Sequence, residues 1–201
     1  MSKRKTFTIS IIASITFAVL LSFVGFDASC REIKNEVLRL HIVANSDSDA
    51  DQSLKLKVRD RVLDLEKELW KESKNKEEAI ATVNENLDYI VKEAQKVVNE
   101  NGYSYPVKGE VAVCSFPTKN YKEFTLPAGY YDALKITIGE GKGTNWWCVL
   151  FPEICLGTAT DFKGVISEES ENIVRKPQNY KVKFKVIEVY HGLKEKINSI
   201  F

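Results

Sequence analysis

The sequence predicts an α+β protein, in which an N-terminal membrane or signal helix precedes a helical hairpin packed on a mostly antiparallel β-sheet. Three observations support this fold class. Residues 7–26 carry no charge, residues 49–101 place apolar side chains at helical spacing, and several later segments are rich in β-branched and aromatic residues between turn residues. The order of one strand, a helix pair and a run of strands is typical of α+β proteins.

The N-terminal segment combines basic residues 3–5 with the uncharged run 7–26. A helix of that length reaches about 30 Å, the thickness of the hydrocarbon core of a bilayer. The preceding basic residues favour export with the N-terminus left inside, although a buried core helix or a cleaved signal peptide has similar composition. We therefore assign residues 1–28 to a signal peptide or transmembrane anchor, 29–37 to a stalk and 38–201 to a single α+β domain.

The helical hairpin is predicted from two consecutive amphipathic segments. Residues 36–45 alternate as a strand, and a polar loop then leads to a helix with Asp49 as its predicted N-cap. Apolar residues step by three or four along this helix, at Leu54, Val58, Val62, Leu65 and Leu69. Asn75 is the predicted N-cap of a second helix of the same kind, which ends at residues 101–102. Each helix needs a partner for its apolar face.

The later segments supply the predicted sheet. Five segments are predicted as strands, at 110–116, around 121–126, and at 132–139, 145–151 and 179–190. In the last of them, apolar residues alternate with lysines at 181, 183 and 185. These lysines are expected to line the solvated side of an edge strand, or else to face an anionic partner or a lipid surface. Residues 157–178 are predicted to form a flexible connection.

Composition excludes some classes of function. The chain has 29 Lys and Arg residues against 28 Asp and Glu residues, and three of the cations precede the apolar run. A nucleic-acid-binding domain usually carries a clear basic excess, so we expect no nucleic acid partner. With 44% hydrophobic and 10% aromatic residues, the chain has enough apolar side chains to form a core.

Two motifs resemble ligand loops without meeting their requirements. The glycine-rich segment 139–145 precedes a predicted strand, whereas a phosphate loop opens a helix, so a tight hairpin connection is the better interpretation. Asn45, Asp47, Asp49 and Asp51 alternate like half of an EF-hand. Ala50 and Leu56 replace the glycine and the glutamate that such a loop requires, so turn chemistry is favoured. We predict neither a metal nor a cofactor.

The remaining reactive residues allow two readings each. Cys148 or Ser46 with His41 as base would suit a secreted hydrolase, although no spacing favours it. Outside the cytoplasm a disulfide between Cys148 and Cys155 is expected as an alternative to free buried thiols.

Trp146 and Trp147 leave opposite faces of their strand; one belongs in the core, and the other is either an interface anchor or covered by residues 157–178.

Four segments together resemble the stage II sporulation protein R family of endospore-forming bacteria. Their sequences are LRLHIVANSDSDADQSLKLKVRDRVL (38–63), SFPTKNY (115–121), LPAGYYDALKITIGEGKGTNWWCVLFPEIC (126–155) and KFKVIE (183–188). The specific combination is ANSDSxxDQxLK, FPTKxY, PAGxY and GxGxNWWCVLFPxxC. The resemblance covers about residues 38–190.

This resemblance implies a non-enzymatic signalling protein made in the forespore. It would be exported into the space between the two forespore membranes, either secreted or anchored by residues 7–26. There it would activate a membrane-embedded aspartic protease of the mother cell, which processes pro-sigma-E and so couples gene expression in the two cells. The alternatives are the secreted hydrolase and a plain anchored structural module. Loop or exposed aromatic positions within the family motifs are the candidate partner contacts: Asn45, Asp47, Trp146, Trp147, Phe151 and Pro152.

Overall fold

The structure is a computed structural model that describes residues 3–70, 72–121, 123–152, 162 and 164–198. Helices and strands alternate irregularly along the chain. The elements in order are α1 (Lys3–Glu36), β1 (Leu38–Val43), α2 (Asp49–Leu69), α3 (Lys76–Glu85), α4 (Leu87–Glu100), β2 (Val107–Phe116), β3 (Lys119–Asn120), β4 (Thr125–Leu126), β5 (Gly129–Ile138), β6 (Asn145–Phe151), α5 (Glu168–Arg175), a short 3₁₀ helix (Pro177–Asn179) and α6 (Lys181–Asn198).

The central sheet has four strands in the order β2-β5-β1-β6, which makes β2 and β6 its edges. β1 runs parallel to β5, whereas the β2–β5 and β1–β6 pairs are antiparallel. β3 and β4 form a separate two-stranded antiparallel unit. The predicted α+β class with a mostly antiparallel sheet is confirmed.

The helical hairpin covers one face of the sheet. Leu40 and Ile42 of β1 join Val58 of α2 and Ile90 of α4 in the largest buried cluster. The second predicted helix is divided into α3 and α4 at Asn86. The Asn75 cap is confirmed, because its side chain accepts the Glu78 N–H at 2.8 Å.

The start of α2 differs by one residue from the prediction. Asp49 is the first helical residue, and the Ser48 hydroxyl accepts the Asp51 N–H at 3.2 Å. Ser48, not Asp49, therefore caps the helix.

The opposite face of the sheet is covered by the end of α1 and by α5. Ile33 of α1 and Val174 of α5 are buried against Phe116, Tyr131 and Val149. Residues 29–37, predicted as a stalk, are thus helical to Glu36 and pack on the domain. α5 itself lies inside the segment predicted as a flexible connection, of which residues 157–161 and 163 are outside the described residues.

The prediction of a strand at residues 179–190 is wrong, because residues from Lys181 onward form helix α6. Alternation of lysine with apolar residues over the first few positions fits a strand. Over the full segment the apolar residues fall on two opposite faces of a helix, one of which buries Phe184 and His191. The segment forms a helix and not a strand, because the helix can bury one apolar face against α1.

Candidate functional site

Two loops meet at one end of the sheet. β1 and β5 are parallel neighbours, so the chain leaves both strands at the same end. The loop after β1 and the loop after β5 are joined there by two backbone hydrogen bonds, from Lys142 N–H to the Asn45 carbonyl oxygen at 3.1 Å and from Gly143 N–H to the Ala44 carbonyl oxygen at 2.9 Å. We call residues 44–51 and 139–144 the loop clasp.

The predicted hairpin at 139–145 is wrong, because β5 and β6 do not pair with each other. β1 lies between them, so the loop crosses the end of β1. A Cβ on Gly143 would lie 2.2 Å from the Ser46 carbonyl oxygen, and one on Gly139, whose φ is +60°, would lie 2.2 Å from Asn45 Oδ1. The glycines therefore permit a close loop-to-loop crossing.

Side chains of the loop after β1 add further hydrogen bonds within the clasp. Asn45 Oδ1 accepts the Glu140 N–H at 3.0 Å, and Asn45 Nδ2 donates to Asp51 at 2.9 Å. Asp47 Oδ1 accepts both the backbone N–H and the hydroxyl of Thr144, at 2.6 and 2.5 Å. Two predicted contact residues, Asn45 and Asp47, thus hold the two loops together.

The carboxylates of the clasp are stabilised in their ionised forms. The hydroxyl and the backbone N–H of Thr144 lower the pKa of Asp47, and the hydrogen bond from the Ser46 hydroxyl is the largest cause that lowers the pKa of Asp51. Lys55 lies beside them, and its ammonium donates to the Thr144 carbonyl oxygen at 2.8 Å. Among the residues that the structure describes, no three His, Cys, Asp or Glu side chains are grouped to hold a metal ion.

The two tryptophans lie on opposite faces of edge strand β6, directly after the clasp. Trp146 packs on the helical side, with the Arg59 guanidinium carbon 4.4 Å from its ring centroid. Trp147 packs on the other side, with the Lys119 ammonium 5.6 Å from its ring centroid. Both are partly buried, and neither indole N–H has a hydrogen-bond partner. Each ring contributes to the core and also reaches the surface.

Phe151 and Pro152, the other predicted contacts, are buried, and Phe151 is 8% exposed. They offer a partner little surface in this conformation.

Cys155 lies outside the described residues, so the Cys148–Cys155 bridge stays a prediction. Cys30 and Cys114 are free buried thiols, and burial raises the pKa of Cys30 to about 12.

The groups proposed for a hydrolase are not brought together. In the register of β1 and β6, Cys148 lies opposite Leu40 and belongs to the helical side, whereas the neighbouring His41 points to the other face, beside the Phe116 ring. The Ser46 hydroxyl donates to Asp51 at 2.6 Å. His41 Nε2 lies 2.9 Å from Asn145 Oδ1, so it contacts neither candidate nucleophile.

A serine–histidine pair exists elsewhere, where the sequence did not suggest it. Ser115 Oγ lies 2.9 Å from His191 Nε2, and Glu195 Oε1 lies 3.9 Å from that same nitrogen. In a catalytic triad the carboxylate would instead contact the other ring nitrogen. Burial lowers the pKa of His191. The pair was missed because α6 was predicted as a strand.

Arg39 is a second feature that the sequence did not indicate. It is fully buried, its guanidinium carbon lies 3.9 Å from the Phe116 ring centroid, and Nη2 donates to the Tyr121 hydroxyl at 2.6 Å. In the sequence it is one polar residue within an apolar strand, which is equally typical of a solvated position. Its guanidinium lies against Phe116 and Tyr131, which belong to the buried cluster on the face that α1 and α5 cover.

Comparisons with known proteins identify a family for this chain. The family model described as Stage II sporulation protein R matches residues 34–161. Stage II sporulation protein R of Bacillus subtilis (strain 168) is 39% identical over 153 residues, which cover 75% of this chain and 66% of that protein, slightly less than two thirds of its length. No solved structure matches. The chain belongs to the stage II sporulation protein R family.

Proposed function

We propose that this protein is exported from the forespore and activates a membrane-embedded aspartic protease of the mother cell, which then processes pro-sigma-E. Membership of a sporulation signalling family supports the process. α1, whose described residues are long and apolar enough to span a membrane, supports export and anchoring. The protein acts as a ligand and performs no chemistry itself.

The proposed mechanism is a shift of a conformational equilibrium. The exported domain binds the extracytoplasmic part of the protease more tightly in the active, dimeric state than in the inactive state. A ligand shifts such an equilibrium only by its difference in affinity, about tenfold for each 1.4 kcal/mol. The surface that contacts the protease therefore needs a fixed shape.

The loop clasp is the observation that carries this proposal. Asn45 and Asp47 fix two loops from distant parts of the sequence at one end of the sheet, and β6 with its partly exposed Trp147 follows directly. A surface that is already ordered loses less conformational entropy on binding. We assign positioning roles to Asn45 and Asp47 and a contact role to Trp147.

Co-expression tests the proposal. The full chain, the protease and pro-sigma-E are produced together in a host that lacks all three, and processing is followed by immunoblot. Processed sigma-E is expected only when the chain is present. Processing that is the same with and without the chain would overturn the proposal.

Variants of the contact surface refine this experiment. Trp147→Ala and Lys119→Glu are expected to reduce processing, because they remove or reverse groups at the same surface. Tyr89→Ala, an exposed aromatic residue on α4, is the matched control. Lys119→Glu leaves the Trp147 ring in place, so reduced processing in that variant is separable from loss of folding, which circular dichroism monitors.

His41→Gln distinguishes a ligand from an enzyme that uses His41. A ligand whose fold is preserved should retain processing activity, whereas loss of a catalytic base would cost orders of magnitude. A hundredfold or greater loss in a folded His41→Gln variant would favour the hydrolase.

A further inference from the structure

α6 runs side by side with α1 and leads away from its apolar segment. In the first turn of α6, the Lys183 ammonium donates to the Ser22 carbonyl oxygen at 2.8 Å. Farther along α6, Ile187 packs on the buried cluster that contains Cys30. The two helices therefore run in the same direction, and a bilayer crossed by α1 would lie beyond the start of α6.

The face of α6 opposite its buried side is apolar and exposed. It consists of Val182, Val186, Val189, Tyr190, Leu193 and Ile197, each 46–74% exposed. We call these six residues the outer face of α6. Exposed apolar surfaces of this extent usually mark an interaction site. Because the face stands beside the domain and not on the bilayer, a protein is the expected partner.

The spacing of the outer face suits a second helix. Val182, Val186, Val189 and Leu193 step by four, three and four residues, the spacing along which two helices pack side by side. With Ile197, the apolar stripe is about 22 Å long, which matches four turns of a partner helix. The middle of the stripe forms a shallow apolar groove.

Lysines border the outer face on both sides. At about 100° per residue, Lys185 and Lys196 project along one border and Lys183 and Lys194 along the other. The two glutamates of the described helix lie farther round, towards the buried face. Lys185 contacts Glu188 at 3.3 Å, but an exposed ion pair of this kind contributes little. The borders of the outer face are therefore suited to acidic groups.

We propose that the outer face of α6 binds an amphipathic helix of a partner protein, whose apolar stripe is flanked by Asp or Glu residues. The carboxylates would lie opposite Lys185 and Lys194. A second copy of the chain is a poorer fit, because it would place lysine borders against lysine borders. The contact does not depend on the role assigned to Trp147.

Synthetic peptides test this proposal. Each peptide is a heptad repeat with isoleucine at a and leucine at d, and it carries either glutamate or lysine at e and g. The full chain is held in nanodiscs of phosphatidylcholine, with the photo-reactive residue benzoylphenylalanine in place of Tyr190. The same replacement at exposed Tyr89 on α4 is the matched control. Position 190 should crosslink to the glutamate peptide at least about tenfold more than to the lysine peptide, and position 89 to neither.

Charge reversal tests the role of the lysines. Lys185→Glu should weaken crosslinking to the glutamate peptide and strengthen crosslinking to the lysine peptide, each by about threefold to tenfold. Lys92→Glu makes the same change of charge at an exposed position of α4 and should have much less effect. An unchanged preference in Lys185→Glu would overturn the proposal.

The apolar contact is tested in the same assay. Leu193→Gln should lower crosslinking to the glutamate peptide about tenfold or more, because one apolar side chain of the contact is lost. Val113→Gln, at an exposed valine of β2, should leave crosslinking unchanged. Circular dichroism checks that both variants keep their helix content.

Three other outcomes would also overturn the proposal. Equal crosslinking to both peptides, or to neither, would show that the outer face does not select an acidic helix. Crosslinked dimers of the chain without peptide would show that a second copy covers the face, and lipid adducts at position 190 would show that it meets the bilayer. None of these outcomes changes the result of the co-expression experiment, so the two proposals can fail separately.

Discussion

Asp47 and Thr144 are joined by two hydrogen bonds although they lie 97 positions apart in the sequence. One carboxylate oxygen accepts both the backbone N–H and the hydroxyl of Thr144. The contact links the loop after β1 to the loop that crosses over it. Two segments that share the family motifs are thereby held as one surface.

The clasp makes the stability of the domain sensitive to acid. Hydrogen bonds to the ionised carboxylates lower the pKa values of Asp47 and Asp51 below the unfolded value of about 3.9. Their contribution to stability is therefore present above that value and is lost as the pH falls through the lower folded pKa values. Urea unfolding between about pH 7 and pH 3, followed by tryptophan fluorescence, measures this loss.

The double variant Asp47→Asn/Asp51→Asn should be less stable than the parent at neutral pH, and the difference should shrink in acid. Glu123→Gln, which changes an exposed carboxylate outside the clasp, is the control and should change the free energy of unfolding by less than about 0.5 kcal/mol. A constant difference between parent and double variant at all pH values would contradict the assignment.

Glycine substitutions test the close crossing of the loops. Gly143→Ala should destabilise the protein by about 2 kcal/mol or more, because the new Cβ would lie 2.2 Å from a backbone oxygen that the clasp holds in place. Gly192→Ala is the matched control, since nothing lies within 4 Å of its Cβ position in α6. It should stabilise the helix by about 0.5–1 kcal/mol. Equal effects of the two changes on urea unfolding would refute the crossing geometry.

The Arg39–Tyr121 pair gives a third prediction. Tyr121→Phe removes the acceptor of the hydrogen bond from Arg39 Nη2 while keeping the ring. Because the guanidinium is fully buried, the substitution should lower the free energy of unfolding by about 1.5–3 kcal/mol. Tyr89→Phe, at an exposed position, should change stability by less than about 0.5 kcal/mol.

A double-mutant cycle separates this pair from general packing. Once Arg39 is replaced by methionine, Tyr121→Phe should cost much less, since no buried charge is left without its partner. Additive costs would show that the hydrogen bond does not contribute.

Local periodicity predicted the features that depend on neighbouring residues. The apolar run of α1, the stripes of α2 and α4 and the strands of the sheet all follow from spacing alone. α6 did not, since its first residues alternate as in a strand and its two apolar faces are distinguished only by what packs on them. The β5–β6 connection was mistaken for a hairpin because the sequence does not reveal that β1 lies between these strands. Local spacing also could not predict that Asp47 contacts Thr144, because the two residues are far apart in the sequence.

The two histidines provide the last prediction. Burial is the largest cause that lowers the pKa of His41 and of His191. Both should therefore titrate below about 6.5 in NMR spectra of the imidazole protons, with His191→Gln used to assign the two signals. Because protonation favours the unfolded state, the stability contributed by the neutral histidines should be fully present above about pH 6.5 and should be lost as the pH falls towards their folded pKa values. His191→Gln should make this loss smaller. A His191 signal that titrates above 6.5 would instead show that Glu195 stabilises the charged imidazole by more than burial destabilises it.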